Sequence, residues 1–366
     1  MPPPAAGGGG ACCFTQEQAD FFVANGWLKV PGAVPSTLCA RWVEASCAAH
    51  GVDIGDPHTW GDPNDSWRPQ KFVDIRHKLS APMVEAAPLL HAAICQLCGG
   101  ADRVVQYPEP LSSLKLDAAF NINYDQGADR PWAEPHPADG VSSWHADGDF
   151  VHYLDSPEAG LFFIVLWGDV EQQAGPTYFS PDSVAPILRT LLRNPQGLSA
   201  KQLNSAAHNP KASCREALPC VGKAGDAFLM MPNMLHSSSQ NVKRQPRFMR
   251  NDQVQLVRPF RFDPMHLSPV ELCTLRNLGL DPRYGLAALQ RAGFRPPPDH
   301  ARRATDADTG EVLPWRYKVR PSFKTPEMER GLSATMYGSD KAREVALAEG
   351  FQGARLGARV VPLPRL

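Results

Sequence analysis

The run Trp144-His145-Ala146-Asp147-Gly148 sets an imidazole and a carboxylate two residues apart. In extended chain such residues point to the same side, so the pair forms a chelating bite. A second imidazole from a distant strand would complete a two-His, one-carboxylate face, a ligand set that suits Fe(II) and leaves positions open for a co-substrate and oxygen. His236 is the best candidate, because it follows the apolar run 227–231, which has the length of a strand. An HxD pair alone is a weak signal, since a His near an Asp is more often a surface pair or a capped turn. Its weight comes from its surroundings. WHADGD is followed by an apolar strand, a Gly175-Pro-Thr-Tyr-Phe-Ser-Pro-Asp-Ser turn, Gly225-Asp226 ahead of another strand, then His236 with Ser238, Asn241 and Arg247.

The elements that must position these residues follow from periodicity. Thr15 and Gln18 make a capping-box pattern that opens a helix to Asn25, stopped by Gly26. Leu38, Trp42, Val43 and Ala45 mark a second helix over 36–50, the stretch 51–70 is dense in loop-forming residues, and a third helix is expected over 81–97. The period then changes to two: Leu116, Ala118, Phe120, Ile122 and Tyr124 alternate with more polar neighbours, as in a half-buried strand. Residues 161–167 form an unbroken apolar run suited to a strand covered on both faces. Asp182 is expected to cap a helix with Val184, Ile187, Leu188, Leu191 and Leu192 inward, and 248–257 reads as a further strand. Helices first and strands afterwards imply an α+β architecture with an antiparallel core.

The chain divides into a Pro-, Ala- and Gly-rich flexible start (1–13), a domain over 14–260 with a helical front (14–110) and a β-core (111–260), and an extension (261–366) packed on that core. The extension carries helical pieces over 269–277 and 339–349, with a Pro-rich basic stretch, 295–320, between them.

Composition excludes several classes. Lys and Arg (37) nearly balance Asp and Glu (38), which gives no general attraction to nucleic acid or anionic lipid. No stretch approaches a membrane span, no secretory or transit pattern opens the chain, and the ending Pro364-Arg365-Leu366 is not the Ser-Lys-Leu address; cytoplasm is the expectation. The odd count of nine Cys without paired spacing fits reduced thiols, and Cys95-Gln-Leu-Cys98, lacking a second such motif, reads as buried packing. His136, His152, Trp144, Phe150, Trp167 and Asp149 near the site are read as loop, core or turn residues.

The order and spacing of these motifs resemble the phytanoyl-CoA dioxygenase family of Fe(II)/2-oxoglutarate oxygenases, over about residues 14–260 and including the opening FFVANGWLKVPGAV. The resemblance implies a double-stranded β-helix, a jelly roll of two antiparallel sheets. It implies that His145, Asp147 and His236 bind iron and that Arg247 pairs with the distal carboxylate of 2-oxoglutarate, with Ser238 assisting and Asn123 as a looser match. It also implies Fe(II), 2-oxoglutarate and O2 as the reactive set, ascorbate as a supporting reductant, and hydrogen abstraction from a small or carrier-linked organic substrate with release of succinate and CO2. The turn Ser180-Pro-Asp-Ser183, the long loop 125–143 and the hundred or so residues after the core depart from the usual pattern and bear on the substrate. Halogenation is disfavoured, because Asp147 stands where halogenating relatives carry a small residue. The alternative is a non-catalytic 2-oxoglutarate- or metal-binding or sensing protein on the same fold.

Strand parity independently separates Arg247 from Arg250. Arg247, Met249, Asn251, Gln253 and Gln255 form one face, suited to a polar ligand pocket. The other face, with Phe248, Val254 and Leu256, suits packing against helices despite Arg250, Asp252 and Arg258. A planar, permanently charged guanidinium is the natural partner of an anchored carboxylate, and Arg247 has the right face unless a bulge intervenes.

Overall fold

The computed structural model describes residues 14–60, 72–108, 112–139, 144–148, 150–206, 213–296, 303–305 and 312–317. The expected flexible start and the helical piece over 339–349 lie outside them, as does Asp149. The front half comprises α1 (Gln16–Asn25), β1 (Trp27–Val30), α2 (Ser36–Ala49), β2 (Phe72–Pro82), α3 (Met83–Ala86) and α4 (Pro88–Cys98). There follow β3 (Lys115–Asn123), β4 (Val151–His152), β5 (Leu161–Leu166), β6 (Tyr178–Phe179), α5 (Val184–Arg193), β7 (Leu198–Ser199) and α6 (Ala200–Ala206). The remainder comprises β8 (Leu218–Pro219), β9 (Ala227–Met230), β10 (His236–Ser237), β11 (Arg247–Val254), α7 (Pro269–Asn277), α8 (Gly285–Arg291) and the hairpin β12 (Arg303–Thr305) and β13 (Val312–Tyr317).

An antiparallel sheet in the order β1-β9-β5-β11-β3-β2 forms the centre, and a smaller antiparallel sheet, β10-β6-β8, carries His236. Register divides the large sheet into two faces, because directly paired residues project to the same side. One face holds Trp27, Met230, Phe162, Ile164 and the odd residues of β11; the other holds Leu229, Phe163, Val165, Phe248 and Phe120. The second face is closed by α2: Trp42 stacks on Trp167 at 5.5 Å, and Phe120 meets both Trp167 and Phe248. The first face is left for the chemistry.

Local expectations hold where local signals are strong. The capping box of α1 forms with both reciprocal hydrogen bonds, and Gly26 ends the helix with φ 76°. β5 is buried along its whole length, as the unbroken apolar run requires. The buried faces of α5 are Val184, Ile187, Leu188 and Leu191. The thiols of Cys95 and Cys98 pack inside α4, and burial pushes both up in pKa, which agrees with inert packing.

Three expectations are corrected. The helix expected over 81–97 is a strand end followed by two helices, because Pro88 has no N–H to donate and disfavours helical backbone at Ala87, which sits at φ −146° and ψ 64°. The front is not purely helical: β1 and β2 form the two edges of the central sheet. Asp182 does not cap α5. Its carboxylate instead accepts from the Ser180 hydroxyl and from the backbone N–H groups of Arg215 and Glu216.

The start of the extension is tied to the front through one buried carboxylate. Ser268 and Glu271 make a capping box at α7, which packs on α1, α4 and α5. Glu271, 1% exposed, also accepts from the backbone of Arg261 and Phe262 and pairs with Arg103 at 2.9 Å. Burial alone would raise its pKa; the Arg103 guanidinium and the hydrogen bonds outweigh that and lower it. A lowered folded-state pKa contributes stability that is present above the ordinary glutamate range and lost as pH falls through the folded value. Glu271→Gln should therefore cost about 2–4 kcal/mol at neutral pH, measured by denaturant unfolding. The gap from the unmodified protein should close as the pH is taken below that range; a gap independent of pH would show that the charge is not what stabilises.

Candidate metal centre

His145 is positioned by a two-way backbone bridge. Its N–H donates to the carbonyl of His236 and the N–H of His236 donates back, each at 3.0 Å. The buried neighbours Trp144 and Ala146 point away into the core, so His145 and Asp147 project together toward His236. One ligand atom from each of the three residues lies within 4.8 Å of the others. Asp147 Oδ1 is 3.1 Å from His145 Nε2 and Oδ2 is 3.4 Å from His236 Nε2. The chain turns sharply after Asp147 at Gly148, φ 124°, where a Cβ would strike the Phe150 ring.

A set of amides and carbonyls fixes this cluster from behind. The Asn251 side chain donates to Asp147 Oδ2 at 2.6 Å, and Gln253 donates to the Asp147 carbonyl at 2.8 Å. Asn204 on α6 grips the residue in between: its Oδ1 accepts from Ala146 N–H at 2.8 Å and its Nδ2 donates to Ala146 C=O at 3.0 Å. His236 lies 3.1 Å through Nδ1 from the Met234 carbonyl and stacks on Phe162 at 4.7 Å. Because a carbonyl only accepts, Nδ1 carries a proton, and a neutral His236 turns an Nε2 lone pair toward a carboxylate oxygen. Two acceptors face to face call for a cation between them, so the donor set fits a metal ion. With the imidazoles protonated in place of a bound cation, burial would still raise the Asp147 carboxyl, but the charge of His236 and the hydrogen bonds from both rings outweigh it and hold it well below the usual carboxylate range.

The other candidates separate clearly. β11 pairs with β3 and β5 in continuous register from 247 to 254, so no bulge disturbs its alternation. Arg247, 2% exposed, lies on the face of Asn251 and Gln253, donating through Nε to Gly175 C=O at 2.8 Å and through a terminal nitrogen to Asn121 C=O at 3.2 Å. Arg250 lies on the opposite face, 3.5 Å from Asp252. Asn123 is fully buried and donates to the Ser239 carbonyl at 3.0 Å, which staples β3 to the segment after His236; Ser238 in that segment is half-buried. His136 organises its own turn by accepting from Ala138 N–H. His152 is buried 2.6 Å from the Asn233 side-chain oxygen, and Trp144 and Trp167 are core.

Sequence reasoning placed Asn251 and Gln253 on the polar face without giving either a partner, and it missed Asn204. The parity of β11 is the signal for the first two. Nothing local marks Asn204, whose target lies 58 residues away.

An antiparallel β-core here gathers two imidazoles and a carboxylate, a donor set suited to a non-haem metal ion. Residues 104–249 match the family described as Phytanoyl-CoA dioxygenase (PhyH). The opening segment of the resemblance lies outside that match. No curated protein matches the chain.

Among solved structures, the chain is similar to the non-heme alpha ketoglutarate dependent carbocyclase SnoK from nogalamycin biosynthesis, with 15% identity over 68% of this chain and 87% of that one and a TM-score of 0.39. It is similar also to EctD from S. alaskensis with bound Fe, with 18% identity over 67% and 78% and a TM-score of 0.39. A third is HygX from Streptomyces hygroscopicus with nickel and 2-oxoglutarate bound, with 13% identity over 66% and 87% and a TM-score of 0.36. Among the described residues, no helix is long and apolar enough to cross a membrane.

If Asn204 supports the cluster by holding the Ala146 peptide, Asn204→Ala removes two hydrogen bonds and should lower unfolding free energy by roughly 1–3 kcal/mol. Metal affinity, measured by chelator competition, should fall with it. An unchanged denaturation midpoint and unchanged affinity would deny Asn204 this role.

Proposed function

We propose that His145, Asp147 and His236 hold one Fe(II), that Arg247 anchors the distal carboxylate of 2-oxoglutarate, and that the enzyme hydroxylates a small or carrier-linked organic metabolite. The observation that carries this reading is a single strand, β11, whose one face reaches Asp147 through Asn251 and Gln253 and presents Arg247. On this reading the two sheets are the halves of a double-stranded β-helix, residues 14–260 are the catalytic domain, and 261–366 is an extension packed on it. Buried thiols such as Cys39, Cys47 and Cys220 suit the reducing cytoplasm.

Bound Fe(II), O2 and 2-oxoglutarate supply oxidative decarboxylation coupled to C–H oxidation. The rest is done by the chain. His145 and His236 give neutral nitrogen ligands and Asp147 a charged oxygen, so the protein offsets one of the two positive charges. The backbone carbonyls of Gly175 and Asn121 fix the plane of the Arg247 guanidinium, which is pre-organised for a carboxylate. Ser238 and Asn123 are supporting polar contacts in this scheme; the Asn123 amide acts mainly by holding Ser239. Phe162, Ile164, Phe228 and Met230 line the same face of the sheet and keep water from the reacting centre.

Purified protein should bind about one Fe(II) per chain and form succinate slowly from 2-oxoglutarate with ascorbate present, even without its substrate. His145→Ala and Asp147→Ala should abolish both; full iron occupancy in either variant would remove the site. Independently, Arg247→Ala should raise the 2-oxoglutarate dissociation constant roughly thirtyfold or more with iron retained. If Arg250→Ala has that effect and Arg247→Ala does not, the anchor is wrongly assigned.

A further inference from the structure

We propose that Asn251 is a positioning residue that restricts Asp147 to one-oxygen ligation and so keeps metal positions open for 2-oxoglutarate and oxygen, an inference that rests on reading His145, Asp147 and His236 as the iron site. The two carboxylate oxygens stand in different surroundings. Oδ1 faces His145 Nε2 at 3.1 Å, while Oδ2 is 2.6 Å from the Asn251 amide nitrogen and 3.4 Å from His236 Nε2. An amide N–H only donates, and a charge-assisted bond this short takes electron density from Oδ2 and weakens it as a ligand.

Rotation of the carboxylate is opposed as well. Gln253 holds the main-chain carbonyl of Asp147 at 2.8 Å, and Asn204 holds the preceding residue, Ala146, by both its N–H and its C=O. With its backbone clamped, Asp147 can exchange oxygens only by breaking the bond to Asn251.

The consequence lies in coordination number. A facial set of three ligands on a six-coordinate ion leaves three positions, two for a chelating keto acid and one for oxygen. A carboxylate bound through both oxygens would consume one of these, and the keto acid or oxygen would then have to displace it. Asn251 is neutral, so it occupies Oδ2 without competing for the metal or changing the charge of the site. It is only partly buried.

The test compares unmodified protein with Asn251→Ala, Asn251→Leu, which keeps the shape but has no donor, and Asn251→Ser, which keeps a shorter donor. Each is loaded anaerobically with Fe(II). Metal affinity is read by chelator competition, 2-oxoglutarate binding by the visible absorption of the iron–keto acid chelate, and folding by thermal melting. The expected result for Ala and Leu is iron affinity unchanged or higher, 2-oxoglutarate affinity lower by at least about tenfold with a weakened chelate absorption, and partial recovery in Ser. A merely structural role would lower melting temperature and iron affinity together and leave the absorption of the loaded fraction intact; that outcome overturns the inference. So does a normal 2-oxoglutarate titration in the Leu variant. Should Ala fail to fold, Leu decides. Unmodified protein that takes up neither iron nor 2-oxoglutarate would overturn the underlying site reading, whereas unmodified protein that binds both beside an unchanged Leu variant overturns this inference alone.

Discussion

The carboxylate of Asp147 is the constraint around which the structure is arranged. It sits between two imidazole nitrogens and beneath an amide, in a place where burial alone would favour its neutral form. Keeping it charged requires positive partners, and keeping it in place requires that neighbouring backbone not move. The protein meets the second need with groups from far away in sequence: the Asn204 side chain on Ala146, the Gln253 side chain on the Asp147 carbonyl and the reciprocal His145–His236 backbone bridge. These are short-range devices acting on a segment that belongs to no long strand, and they substitute for the ladder of hydrogen bonds that a longer strand would supply.

β11 connects this arrangement to the rest of the core. It pairs with both β3 and β5, so its register is held from two sides, and a slip by one residue would exchange Arg247, Asn251 and Gln253 for Phe248, Arg250 and Asp252. Such a slip would also pull Phe248 away from Phe120 and expose the opposite face, where Trp42 and Trp167 stack. Hydrophobic packing on one side of the sheet therefore fixes the polar site on the other. That is the energetic link between fold and function here.

The same logic explains what could be read beforehand. The HxD bite, His236, the apolar strand over β5, the capping box at Thr15 and the parity of β11 were legible because each depends on residue type and local period. β2 was not, since Asp74, Arg76, His77 and Lys78 interrupt any alternation and its pairing with β3 is a long-range event. Asp182 looked like a helix cap because Asp is a good cap; in the folded chain the N–H groups of Arg215 and Glu216 compete for it and win. The break at Pro88 was readable in principle, and the helical period of its surroundings concealed it. Asn204 lacked any local mark, as side chains that act on distant backbone generally do.

Substrate choice in the proposed scheme falls to the loop over 125–143 and the extension after 262, and the anchorage of the described part of the loop, 125–139, bears on how. Gln240, four residues after His236, donates to the carbonyls of Gly127 and Pro131 and accepts from Ala133 N–H. Asn241 donates to the carbonyls of Asn123 and Tyr124 where the loop leaves β3, and its N–H donates to Gln126 C=O. Farther along, Trp132 packs against Tyr178, whose hydroxyl lies 3.4 Å from Glu134. The loop is thus sewn to the segment that carries His236, and a substrate held by it would be held in a fixed relation to the metal. Loops mounted on a rigid core allow specificity to change while the ligand set stays constant. Here the stitching residues Gln240 and Asn241 join the loop to the segment that carries His236, so changes at 240 or 241 act on both together.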